Sequence, residues 1–390
     1  MNQAIFGGTA CDYLTLRDGR EIYFQGIEFL NFANGRLNLM VQPNDPYFNR
    51  QWNLHVSDVP SAWRFTQGAS DVLLVSLDSG VVTTLTNRNR GIDVDPTRLR
   101  LDARDDDDSN DNGHGQQAVS VMSSAANNGR GVAGINWHSP VEIHDVYSRS
   151  DRVTLQQAVS STITYARRNN LRVVFQGGIQ GEYWLTDGGT RARLERLIRN
   201  NSDIAVFAIA AGNGNVNIDV TNPNHPSVRR GESGGVARLH TTHDNVIAVG
   251  AVENHHADGT WANTWQRGLM NAGQVRRAEY SNYGQSLTLV AATDSPAVDR
   301  YGRVNYFNGT SAANPNVAGI TSLVWSVNSA LSGGEIRQIL TDTAMDLGQP
   351  GRDNAFGHGL INADAAVRRA WALNRNQDLA NLHTGSSILA

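Results

Sequence analysis

The chain of 390 residues holds one cysteine, Cys11. No disulfide can form within it, so its fold must rest on a packed core, and a chain this long has ample apolar surface to bury. Cys11 also lacks the local signature of a catalytic thiol. No apolar run approaches the roughly 20 residues that cross a bilayer, and no basic stretch followed by an apolar one marks a signal peptide. The expectation is a soluble chain, cytoplasmic if complete and secreted if it is a processed form. Basic blocks are missing as well. Net charge is −4, and Arg191, Arg193, Arg196 and Arg199 share one predicted helix as a solvated face. Neither nucleic acid nor a membrane is an expected partner, and a monomer is the default state. There is no H-E-x-x-H helix, so His240, His243, Asp244, His255 and His256 read as loop residues, not as a zinc set. No internal repeat is visible.

Glycine is abundant, at 38 residues, which suits tight turns and close backbone approaches. Residues 1–42 carry short alternating stretches broken by Asp18-Gly19 and Asn34-Gly35, the signals of β-hairpins. Beyond Asp71 the pattern changes. Continuous apolar runs at 72–77, 171–175, 204–210, 246–251 and 287–292 have the character of buried parallel strands. Helical periods separate them, with Leu155, Ala158, Val159, Thr162, Ile163 and Ala166 on one face and Leu194, Leu197 and Ile198 on another. A third apolar helix is expected from Val317 to Trp325. Strands alternating with helices predict an α/β fold: three layers, with a mostly parallel central sheet and helices on both faces. Residues 43–372 are expected to form this domain, with 373–390 a polar tail.

Four glycine-flanked motifs stand out. Asp78-Ser79-Gly80 follows the first strand. Asn112-Gly113-His114-Gly115 opens a helix of small residues. Ala210 to Gly214, containing Asn213, ends a strand, and Gly309-Thr310-Ser311 leads into a buried helix. In a parallel sheet, function gathers at the carboxyl ends of strands and at helix starts. Serine is a weak nucleophile without a base. Histidine is the natural base near neutrality, and it needs a carboxylate to fix its tautomer. A serine at a helix N-terminus also gains N–H groups able to hold an oxyanion.

These motifs, in this order, resemble the subtilisin-like serine proteases. The resemblance covers about residues 43–370. It is reinforced by Pro43 to Phe48, by Asn127 to Gly134, by Tyr280-Ser-Asn-Tyr-Gly284 and by Gly357 to Ala363, with features similar to the thermitase and kexin branches. It implies a serine endopeptidase working through an acyl-enzyme. Asp78 would orient His114, His114 would deprotonate Ser311, and Asn213 with the Ser311 N–H would hold the oxyanion. Phe175, Gln176 and Gly177 would be the edge strand that pairs with an extended protein or peptide substrate. Ala210, Ala211 and Gly212 would wall the primary specificity pocket. Structural calcium is the one cofactor implied, with Asp45 and Asn128 at one site and Asp106, Asp108 and Asp111 at another. A further carboxylate would be expected after the first motif, but Asn87 stands about where it should lie. No organic cofactor is implied.

The chain departs from the family pattern at Gln116, usually Thr, and at Asn314, usually a small residue. A non-catalytic binding protein of this fold would be expected to have lost a member of the Asp-His-Ser set, and none is lost. Residues 1–42 raise the further alternative of a regulated zymogen with a vestigial propeptide.

Overall fold

The computed structural model describes residues 2–6, 8–82, 91–101, 113–147, 153–177, 187–220, 224–226, 235–255 and 275–382. Its centre is an eight-stranded sheet. The strands are β6 (Val72–Asp78), β7 (Leu99–Arg100), β8 (Val141–Asp145), β9 (Arg172–Gly177), β10 (Ala205–Ala210), β11 (Val246–Asn254), β12 (Val275–Arg277) and β13 (Leu289–Ala292). They run in the order β12-β11-β10-β9-β6-β8-β7, with β13 also paired to β11. Every pairing is parallel except that of β11 with β12.

All of β6 is buried, because both faces of the sheet are covered. Val72 and Leu74 belong to one core cluster, with the helices His114–Ser123 and Thr310–Val327. Leu73, Val75 and Leu77 belong to the other, with the helices Leu155–Asn169 and Gly188–Arg199. This alternation explains the continuous apolar runs: each face of the strand has a hydrophobic layer to meet. The helix Leu155–Asn169 starts on a capping box between Thr154 and Gln157, and Ser332 with Glu335 caps Gly333–Asp342 in the same way. A short hairpin, β14 (Ser295–Val298) and β15 (Val304–Phe307), runs directly into the helix Thr310–Val327. Among the described residues no helix is long and apolar enough to cross a membrane.

The N-terminal residues form a three-stranded antiparallel sheet, β1 (Asn2–Phe6), β2 (Thr9–Thr15) and β3 (Glu21–Phe24), and a hairpin, β4 (Phe29–Phe32) with β5 (Gly35–Asn38). Strand β2 lies on the helix Ala363–Leu382. There Arg368 Nη1 donates to Ala10 O at 3.2 Å and Nη2 to Asp12 Oδ2 at 2.7 Å. Arg64 forks onto both oxygens of Asp12, at 2.9 and 2.6 Å. That last helix corrects the expected boundary at 373: it continues to Leu382. Upstream of that boundary its charges Asp364 and Arg368 are buried.

Candidate active site

Strand β6 ends on Asp78, whose side chain is 2% exposed. Its Oδ1 accepts from the Ser79 N–H at 2.9 Å and lies 2.6 Å from His114 Nδ1. His114 is the first residue of its helix and keeps a third of its side chain exposed. The next residue must be glycine. A Cβ on Gly115 would fall 2.4 Å from Gly80 O, so any side chain there would push the helix off the Asp78 turn. The Gly115 N–H also donates to Ser79 Oγ at 3.1 Å. A buried carboxylate on Nδ1 fixes the orientation of the ring.

Ser311 is the second residue of the helix Thr310–Val327 and only half-buried, whereas Ala312 to Trp325 are all buried. Gly309 precedes the helix with φ of 85°, in the region that favours glycine. Phe307, at the end of β15, packs edge-on against the His114 ring, with centroids 5.0 Å apart. The hairpin leading to Ser311 therefore abuts the imidazole.

Asn213 reaches the same helix start. Its Oδ1 accepts from the Thr310 N–H at 2.8 Å and from Thr310 Oγ1 at 2.9 Å. Thr310 Oγ1 in turn accepts from the Gly212 N–H at 3.1 Å. With its oxygen so engaged, the Asn213 amide presents its N–H₂ group beside the first turn, and the side chain is exposed. The loop on both sides of it is clamped by Asn282, whose Nδ2 donates to Ala211 O at 2.8 Å and whose Oδ1 accepts from the Gly214 and Val216 N–H groups. The motif Tyr280 to Gly284 is thus the buttress of the Asn213 loop. Thr310 itself was not singled out from sequence. Its only signal was its place between Gly309 and Ser311.

The expected placement of Phe175, Gln176 and Gly177 at a sheet edge is corrected: they lie in a central strand. Strand β9 is flanked by β6 and β10, so its backbone groups are engaged on both sides. Phe175 is fully buried and stacks on Phe207 with centroids 4.5 Å apart, and Gln176 is buried against Ser76. Residues 178–186 lie outside the described residues. Ala210 ends β10, and Ala211 and Gly212 lead from it to Asn213, all three buried. Asn314 joins the two regions, its Nδ2 donating to Gly177 O at 2.9 Å.

Asp106, Asp108 and Asp111 lie outside the described residues. Asp45 and Asn128 do meet: Asp45 accepts from the Asn127 N–H at 2.7 Å and the Asn128 N–H at 3.3 Å. Asp93, which sequence reading passed over in favour of the Asn87 position, completes the group, with Asn128 Nδ2 at 3.3 Å from its Oδ1. Burial pushes the Asp93 carboxyl above its usual range; Asn128 opposes this and the nearby Asp45 charge adds to it. Asn128 turns its Nδ2 to Asp93 while its Oδ1 accepts from the Arg130 N–H at 2.8 Å, so the oxygens at this loop that suit a hard cation such as calcium are the carboxylates of Asp45 and Asp93. Among the described residues no cluster of three or more His, Cys, Asp or Glu side chains could hold a metal. His240 lies buried against Thr288, His243 is held by Thr242 and the Glu195 carbonyl, and His255 pairs with Glu253.

The Subtilase family pattern matches residues 69–359, a span that includes Asp78, His114, Asn213 and Ser311. The chain belongs to the subtilase family. Alkaline elastase YaB from Bacillus sp. strain YaB is 36% identical over 153 residues, 35% of this chain and 38% of that one. M-protease from Shouchella clausii strain KSM-K16 is 27% identical over 251 residues, 63% of this chain and 52% of that one. The chain thus spans about half or less of these relatives' length. A thermophilic serine proteinase from Bacillus sp. strain AK1 is 25% identical over 345 residues, 86% of this subtilase and 71% of its relative. Among solved structures, a protease from Pseudoalteromonas arctica PAMC 21717 aligns with a TM-score of 0.57 at 21% identity, covering 84% of this chain and 99% of that one. A serine protease of Aeromonas sobria gives 0.59 at 16% identity, over 90% of this chain and 70% of that one. At such identities the likeness concerns the fold, and it agrees with the three-layer parallel architecture of this subtilase.

Proposed function

We propose that this subtilase is a serine endopeptidase with Ser311 as nucleophile, His114 as general base and Asp78 as the carboxylate that orients it. The observation that carries this reading is the 2.6 Å pair between a buried Asp78 and a partly exposed His114, beside the hairpin that runs into Ser311. With Nδ1 held, Nε2 takes the Ser311 proton as Oγ attacks the scissile carbonyl. The same proton passes to the leaving amine as the acyl-enzyme forms, and water then repeats the sequence in reverse. The tetrahedral oxyanion is held by the Ser311 N–H and the Asn213 side-chain amide. Ala210 to Gly212 form a wall of the pocket for the substrate side chain, and the substrate is a protein or peptide in extended conformation. Asp45 and Asp93, with Asn128 beside them, would hold a structural calcium ion at the loop 126–132; no catalytic step passes through it.

A fluorophosphonate probe tests the reading. The wild-type chain is expected to be labelled at Ser311, and Ser311→Ala to lose both labelling and cleavage of unfolded protein substrates. A folded wild-type chain that neither labels nor cleaves, with or without added calcium, would overturn it.

A further inference from the structure

Gln116 is two residues past His114 on the same helix. It is 1% exposed, an unusual place for so polar a side chain unless each of its groups is satisfied. Each is. Its Oε1 accepts from the Val82 N–H at 3.3 Å. Its Nε2 donates to Gly91 O at 2.8 Å and to Asp299 O at 3.0 Å. All three partners are backbone groups, so the contacts fix where chain segments sit, not how side chains pack.

The segments are the ones that matter. Val82 lies four residues beyond Asp78, after the buried turn Ser79-Gly80-Val81. Asp299 opens the turn between β14 and β15, and that turn is rigid. The Asp299 carboxylate, 2% exposed, accepts from the Tyr301 and Arg303 N–H groups, the Arg303 guanidinium and Asn305 Nδ2. The hairpin it anchors ends at Phe307, which touches the His114 ring, and Ser311 follows four residues later. A threonine at position 116 has one short hydroxyl and cannot span these groups. The long primary amide can, because it offers two donors and an acceptor at the end of a flexible stem.

We propose that Gln116 is a positioning residue for catalysis: one buried amide ties the Asp78 turn, the His114 helix and the hairpin that delivers Ser311 into a single geometry. The inference rests on the reading of Asp78, His114 and Ser311 as the catalytic set. Gln116 touches no reacting atom. It acts by holding the spacing among segments, and a misplacement of about 1 Å in such a site can cost about 10²-fold in rate.

The test compares Gln116→Met, which keeps the volume and removes all three hydrogen bonds, with wild type and with Ser120→Ala. Ser120 is a control on the same interface: its Oγ accepts from the Val298 N–H of the hairpin at 2.9 Å and pairs with Ser124 Oγ at the end of its own helix at 2.8 Å, away from the Asp78 turn. Thermal midpoint, kcat, KM and the rate of fluorophosphonate labelling are measured well below the unfolding transition. Gln116→Met is expected to lower kcat and the labelling rate by about ten- to a hundredfold with KM changed little, while Ser120→Ala keeps kcat near wild type. If Gln116→Met does not fold, Gln116→Asn carries the test with the same expectation, since it keeps an amide in the site but shortens its reach. A kcat within about twofold of wild type, or an equal loss in Ser120→Ala, would overturn the inference. A wild-type chain that fails to label at Ser311 would overturn the underlying triad reading instead.

Discussion

Asp12 and Arg368 are 356 residues apart in sequence and form a 2.7 Å ion pair in which the side chains are 1% and 3% exposed. Arg64 shares the carboxylate, and Asp364 holds the other side of the Arg368 guanidinium at 2.7 Å. Such a cluster is costly to bury, and what it does best is bind its members to one another. It fastens the N-terminal sheet to the last helix. Asp12→Asn would leave Arg64 and Arg368 without their shared charge, and breaking a buried pair costs about 3–5 kcal/mol. Denaturant unfolding of Asp12→Asn should show a loss of that order. Removal of residues 1–41 should also lower the thermal midpoint. If the N-terminal sheet is a clasp, the truncated chain labels at Ser311 no faster than the full chain. A faster rate would mark those residues as an inhibitor.

A second prediction concerns pH. Burial, helped by the charges of Asp364 and Glu28 and opposed by Asn362 and Arg368, raises the Asp58 carboxyl from 3.8 to about 7. The folded state therefore holds this proton where the unfolded chain has lost it. Stability from this group is full below pH 4 and is lost as pH rises toward 7. His240 has the opposite sign. Burial and the Arg337 charge lower it to about 3, so its contribution is full above pH 6.5 and is lost as acid protonates the unfolded chain first. The two slopes oppose each other across the same window. Asp58→Asn keeps an acceptor for the Asn362 amide, which lies 2.8 Å away, and asparagine tolerates the φ of 53° at this position. The variant should match wild type near pH 4 and exceed it by about 2–4 kcal/mol at pH 8, with a steeper fall into acid. Parallel pH profiles of the two proteins, read by urea unfolding, check this.

The parts of this molecule legible in sequence share a physical cause. Strands such as Val72–Asp78 and Ala205–Ala210 face hydrophobic layers on both sides, so the demand on composition is absolute and the apolar run is continuous. Strand β8 was missed because Glu142 and His144 interrupt its pattern. Those two pair with each other at 2.9 Å, and Arg100 bonds Glu142, so the polarity is absorbed by partners that only the fold brings near. The last helix reads short because its final turns, from Arg375 on, are rich in polar residues. The motifs around Asp78, His114, Asn213 and Ser311 stand out in the sequence through their flanking glycines, and at Gly115 the close backbone approach forbids a side chain. The central place of Phe175 to Gly177 was not legible, because a buried central strand and a sheet edge can carry the same apolar residues. Asp93 was not legible because only the fold brings it beside Asn128 and Asp45.

Asn213 offers a sharp kinetic expectation. Its oxygen is occupied by both donors of Thr310, so its amide nitrogen is aimed before any substrate binds. A preorganised donor acts on charge that develops in the transition state and not on the ground-state carbonyl. Asn213→Ala should lower kcat by about 10²–10³ while KM changes little. Steady-state kinetics on a peptide substrate would show it. A change confined to KM would assign Asn213 to substrate binding instead.

The last prediction concerns calcium. Asp45 is 4% exposed and already accepts two backbone N–H groups from the loop it would help to close around the ion. Asp93 approaches the same loop from another segment, since a Cβ on Gly131 would lie 3.2 Å from its Oδ2. An ion bound to the folded state alone stabilises it by about 2.7 kcal/mol when free calcium is a hundredfold above its dissociation constant. The thermal midpoint of the wild-type chain should therefore rise with added calcium and fall in excess chelator. Asp93→Asn removes a charge from the donor set without removing its oxygen, and its midpoint should respond to calcium far less. Asp106→Asn serves as the comparison, because it alters the acidic run before His114 and leaves Asp45 and Asp93 intact. If both variants keep the full wild-type response, the ion binds elsewhere. If wild type shows none, the pair of carboxylates serves the loop through its hydrogen bonds alone.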